Sequence, residues 1–102
     1  MVDDGLVKAA VGARDAELKL SVRYFAWVRE KVGRAEETVT VPSGVATVRD
    51  LVGWLAARGP EYAEAFRRPD VVRAALDQVH VKPSQPIGSA REVAFFPPVT
   101  GG

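Results

Sequence analysis

The sequence predicts an α+β domain in which a mixed sheet of four to five strands packs on one main helix. Three observations predict it. Apolar and polar residues alternate from Leu18 to Tyr24, an apolar stripe at i, i+3, i+4, i+7 runs from Val48 to Leu55, and two further short apolar runs follow, the last ending at Phe96. A single amphipathic helix has one face to cover and a small sheet has one to offer, so the two pack as two layers.

The elements follow in order. Leu18, Leu20, Val22 and Tyr24 share one side of a strand, with Lys19, Ser21 and Arg23 on the other. Phe25 to Val32 fits one or two helical turns stopped by Gly33. Glu37 to Val41 is a second strand, ended by Pro42 and a Pro-Ser-Gly turn. Thr47 is the N-cap of the main helix, with Asp50 in the capping-box position, and Gly59 and Pro60 stop that helix. A second helical piece spans Glu61 to about Arg67, before Pro69. Leu76 to Lys82 reads as a third strand, with Val79 and Val81 on one face and Gln78, His80 and Lys82 on the other. Turns around Pro83–Pro86 and Ile87–Ser89 precede a last strand, Glu92 to Phe96. Strand, strand, helix, strand, strand is a β-grasp layout. It divides the chain into an extension over 1–17, read as poorly ordered, a domain over 18–96 and an extended tail over 97–102.

Composition narrows the chemistry. The 102 residues support one domain, and a net charge of +1 with interleaved signs gives no argument for nucleic acid or an anionic membrane. With no cysteine there is neither a disulfide nor thiolate chemistry, and a lone histidine, His80, makes a metal site a poor expectation. No apolar run reaches spanning length and no signal-peptide pattern opens the chain, so the cytoplasm is the expected compartment.

The tail is the most informative segment. From Val93 to Gly102 no side chain is charged. Pro97 and Pro98 lack backbone donors, so they end the strand and favour an extended exit. Val99 and Thr100 are β-branched and also prefer extension. Gly101 and Gly102 have no Cβ, so the backbone can enter a narrow channel and come close to another molecule. A terminal carboxylate at the tip is a poor electrophile until it is joined to AMP; a sulfur nucleophile then yields a thiocarboxylate. The chain has neither of the two glycine-rich phosphate-binding motifs, so activation falls to another protein.

Four stretches carry a family resemblance: Val22-Arg23-Tyr24-Phe25-Ala26-x-Val28-Arg29-Glu30, Thr47-Val48-x-x-Leu51, Ala75-Leu76-Asp77-Gln78 and, above all, Glu92-Val93-Ala94-Phe95-Phe96-Pro97-Pro98-Val99-Thr100-Gly101-Gly102. In these the chain resembles the small subunits of molybdopterin synthase, the MoaD-type sulfur carriers of the ubiquitin-like β-grasp fold. The resemblance departs at Gly88-Ser89-Ala90-Arg91, where Arg91 stands at a position commonly acidic, and it says nothing of the first 17 residues.

The resemblance implies a cycle. A ubiquitin-activating-like adenylyltransferase uses ATP to adenylate Gly102, and sulfur replaces AMP. The tail then enters the large synthase subunit, within a heterotetramer, and donates sulfur for the molybdopterin dithiolene. The chain binds no cofactor of its own and is not an enzyme by itself. The resemblance also selects Phe96 and Phe25 as partner-facing, with Pro97, Pro98, Val99 and Thr100 as tail contacts and Phe95 as core. Phe25 could equally cap the core, and His80 could sit at the interface edge or simply be solvated. Arg58, Arg67, Arg68 and Arg73 read as a solvated face or a phosphate site. Carriers for thiamine or cysteine synthesis, and a ubiquitin-like protein modifier joined through Gly102, are the alternative readings.

Overall fold

The computed structural model describes residues 16–98. The expectations for residues 1–15 and for Val99, Thr100, Gly101 and Gly102 lie outside the described residues. The elements are β1 (Leu18–Tyr24), α1 (Ala26–Val32), β2 (Glu36–Val41), α2 (Val48–Ala56), α3 (Pro60–Ala65), a 3-10 turn at Pro69–Val71, β3 (Arg73–Leu76), β4 (Val79–Val81) and β5 (Glu92–Phe96). Five strands form one sheet in the order β2-β1-β5-β3-β4. β1 and β5 run parallel, and the other neighbours are antiparallel.

Alternation decides which side chains enter the core. Leu20, Val22 and Tyr24 of β1, Val39 and Val41 of β2, and Val93 and Phe95 of β5 are buried on one face. They meet Val48, Leu51 and Leu55, the stripe of α2, with Val28 and Val32 of α1 and Tyr62 and Ala65 of α3 closing the end of the layer. α2 begins as its sequence signals. Asp50 N–H donates to Thr47 Oγ1 and Thr47 N–H to Asp50 Oδ2, both at 3.1 Å, a capping box that satisfies donors the first turn cannot. Gly33, with φ of 90°, ends α1 in the left-handed conformation that glycine adopts without a Cβ clash.

Three expectations are corrected. The run Leu76–Lys82 is not one strand but part of a hairpin, β3–β4, reversed at Asp77 and Gln78, whose φ values are 47° and 72°. Neither residue is glycine, so the sequence carries no plain turn signal. The reversal is held by Asp77, whose Oδ1 accepts from Arg91 N–H and Glu92 N–H at 3.0 Å each, while its own N–H donates to Glu92 O at 2.9 Å. These bonds also fix the Gly88–Arg91 turn against β5. Secondly, Gly59 does not stop α2, which ends with Ala57 as its C-cap; Gly59 precedes α3, which Pro60 opens at its first turn. Thirdly, α2 is not the sole helix of the layer, because α1 and α3 pack on each other at its end. Phe25 is the N-cap of α1 rather than a helical residue.

Candidate functional site

The site is assembled where β5 ends. β5 lies inside the sheet, between β1 and β3, and Phe25 N–H donates to Phe95 O at 3.0 Å beyond the last paired row. Pro97 and Pro98 bring no N–H, so neither can donate to the ladder and the chain leaves the sheet. The tail is therefore rooted in the middle of the sheet rather than at an edge.

Register places the candidate residues. Phe95 faces Ala74 and the core, where it is fully buried, stacked on Tyr24 at 6.3 Å and edge-on to Phe66 at 5.1 Å. Phe96, one residue on, points to the outer face, opposite Arg73. On that face Ala94 lies between Arg23 and Ala75, and Ala75 is opposite His80. The His80 ring packs against Phe96 at 5.0 Å between centroids. Phe25 is 40% exposed, with the Arg23 guanidinium 5.4 Å over its ring, so it does not cap the core. Phe25, Phe96 and His80 thus share one face, around a shallow floor of Ala75 and Ala94. Pro97 and Pro98 are half-buried where the tail departs. Gly101 and Gly102, with Val99 and Thr100, lie outside the described residues.

Behind this face is a polar cluster that the sequence reading passed over. Glu37 sits opposite Val22, at an inward position of β2, and its side chain is only 7% exposed. Tyr24 and Tyr62 both donate to Glu37 Oε2, at 2.8 and 2.7 Å. Arg34 and Arg58 reach Oε1 at 3.1 and 3.3 Å. Burial opposes the charge on Glu37, but the phenol hydrogen bonds from Tyr62 and Tyr24, with the Arg58 and Arg34 charges, outweigh it and hold the carboxyl below its ordinary value. Burial and then the bond to Glu37 push the Tyr24 and Tyr62 phenols above theirs. The signal was present in the alternation Glu37, Val39, Val41, which sets a charged residue on the buried side.

The arginines grouped from the sequence are not brought together. Arg58 pairs with Glu37, Arg67 with Glu64 and Arg68 with Asp70, while Arg73 stands on the outer face. They form no common phosphate site. An apolar cavity of about 500 Å³ lies on the helix side of the sheet, bordered by Val52, Ala56, Val72 and Val81. It does not adjoin the face that gathers Phe25, Phe96 and His80. That face has aromatic rings, small side chains and cations around the root of a strand-borne tail, an arrangement suited to docking.

Comparison with known proteins agrees with this geometry. The model of the ThiS family matches residues 22–102. The molybdopterin synthase sulfur carrier subunit of Escherichia coli is 39% identical over 83 residues, which is 81% of this chain and 99% of that protein. Its namesake from Haemophilus influenzae is 31% identical over the same shares of each chain. Among solved structures, SAMP1 from Haloferax volcanii superposes with a TM-score of 0.62 at 25% identity, over 82% of this chain and 99% of that one. A five-stranded β-grasp sheet, the aromatic face at the tail root and these matches lead to one assignment: the chain belongs to the ThiS family, as its resemblance to MoaD-type ubiquitin-like sulfur carriers implied.

Proposed function

We propose that this chain is the sulfur carrier subunit of a molybdopterin synthase. One observation carries the reading. The segment Phe95-Phe96-Pro97-Pro98-Val99-Thr100-Gly101-Gly102 continues a central strand whose last side chain, Phe96, stands on an open aromatic face. A large subunit that covers Phe25, Phe96 and His80 would receive the tail in the same event. Similarity to the sulfur carrier subunits of Escherichia coli and Haemophilus influenzae supports the assignment.

In this reading the Gly102 carboxylate attacks the α-phosphorus of ATP on a ubiquitin-activating-like adenylyltransferase. Pyrophosphate leaves and an acyl adenylate forms. A sulfur nucleophile then displaces AMP to give the thiocarboxylate. Gly101 lets the backbone pass the narrow part of each partner's channel, since no Cβ obstructs it. Pro97, Pro98, Val99 and Thr100 hold the approach extended. Inside the large subunit the thiocarboxylate gives up its sulfur toward the molybdopterin dithiolene. The chain supplies sulfur and geometry, works in the cytoplasm, holds no cofactor, and functions in a heterotetramer whose catalytic pocket belongs to the large subunit.

Intact mass spectrometry after co-expression with the adenylyltransferase tests this. Exchange of one oxygen for sulfur at Gly102 is the expected result. Covalent conjugates to other proteins would favour a modifier, a reading to which the likeness to SAMP1 lends some support. Molybdoenzyme activity that persisted in cells lacking Gly102 would end the carrier reading.

A further inference from the structure

The geometry points to Arg73 as a specificity-determining contact: its guanidinium meets a carboxylate on the synthase large subunit, beside the pocket that takes Phe96. The inference rests on the proposed function for the identity of the partner. Its evidence is separate.

Arg73 begins β3 and lies directly opposite Phe96 in the β3–β5 ladder. Side chains so placed stand about 5 Å apart at Cβ, on one face of the sheet. Arg73 is exposed. Other arginines of this chain already have carboxylates. Arg23, on the same face, reaches Glu36 at 3.7 Å and Glu92 at 3.8 Å. Arg34 and Arg58 share Glu37, Arg67 has Glu64 and Arg68 has Asp70. Among the described residues, Arg73 forms no ion pair.

An unpaired surface arginine is harmless in water. Its surroundings change when a partner covers Phe96. The neighbouring guanidinium then loses solvent, and an uncompensated charge under an interface is strongly unfavourable. A partner that buries the Phe96 ring must therefore bring an anion to Arg73 or leave that charge stranded. A carboxylate fits the planar fork of the guanidinium in a bidentate manner, which a lysine would not reproduce. His80, packed on Phe96, limits where the partner's main chain can run and so keeps this contact in register. The surface required of the partner has an aromatic-accepting pocket with an acidic rim, and related carriers lacking an arginine here should be discriminated against.

The test is titration of the full chain against the intact molybdopterin synthase large subunit of the same organism, at about 50 mM and about 500 mM salt. Arg73→Gln should weaken binding about tenfold at low salt, mainly through slower association, and should flatten the salt dependence. Arg73→Glu should weaken it further. Arg73→Lys should recover only part of the loss. Lys19→Gln, on the same face but at the far end of β1, should match the native chain. Circular dichroism and thermal melting establish that each variant is folded. Arg73→Gln binding within about twofold of native at low salt, with the same salt slope, overturns the inference. A native chain that does not bind the large subunit at all overturns the proposed function instead, a result distinct from any difference between variants.

Discussion

The hydroxyl of Tyr62 donates to Glu37 Oε2 at 2.7 Å, tying α3 to β2. A short helix of Pro60–Ala65 cannot hold itself in water and depends on such attachments. Tyr62 packs edge-on to Tyr24, which stacks on Phe95, the buried neighbour of Phe96. Glu37 therefore helps to set the strand from which the tail leaves, although it never touches the outer face.

Tyr62→Phe should lower unfolding stability by about 1.5 kcal/mol, the scale of a hydrogen bond to a charged group. The ring and its packing remain, so the change isolates the hydroxyl. Urea unfolding followed by fluorescence measures it, and an unchanged midpoint would show that Arg34, Arg58 and Tyr24 suffice for Glu37.

The same carboxylate predicts a response to acid. Glu37 is held below its ordinary value when folded and returns to that value when unfolded. Its contribution is present in full above the unfolded value, about 4.3, and is lost as pH falls through the depressed folded value. Native protein should lose stability as pH drops below about 5, and Glu37→Gln should show a shallower slope there while being less stable at neutral pH. Melting temperatures across that range distinguish the two; parallel profiles would assign the acid response elsewhere.

The adjacent phenylalanines should behave oppositely. Phe95→Ala empties a fully buried site and should cost about 3–5 kcal/mol of stability. Phe96→Ala, on the outer face, should cost about 1 kcal/mol and weaken binding of the large subunit well beyond that. Melting curves paired with a binding titration read both effects. A Phe96→Ala chain that unfolds, or binds normally, would contradict the placement.

The hairpin turn also invites a substitution. Asp77 and Gln78 both hold positive φ, as two-residue hairpin turns of the mirror-image type require, and glycine meets that need without a Cβ clash. Gln78→Gly should raise stability by about 0.5–1 kcal/mol, read as a higher melting temperature. Asp77 should not be changed in the same experiment, since its carboxylate anchors Arg91 and Glu92 N–H.

What the sequence made legible follows from how local each signal is. β1 was plain because Leu18 to Tyr24 alternates without interruption, and α2 because Thr47, Asp50 and its stripe agree. The hairpin was not, since Asp77 and Gln78 turn the chain through contacts with Arg91 and Glu92, far along the sequence. Phe25, Phe96 and His80 could be nominated singly, but their shared face depends on a parallel β1–β5 pairing that no local pattern encodes. Arg73 was grouped with Arg58, Arg67 and Arg68 by proximity in the chain; cross-strand register separates it from them and sets it beside Phe96.

The central position of β5 has a mechanical consequence. A tail withdrawn from a narrow channel pulls on Phe96 along the strand axis. That force is shared by two ladders, to β1 on one side and to β3 on the other, and both resist in shear, with many bonds strained together. An edge strand pulled crosswise would instead give way one bond at a time. This domain can be drawn repeatedly out of a tight-fitting partner and remain whole, as suits a component that is reloaded and returned.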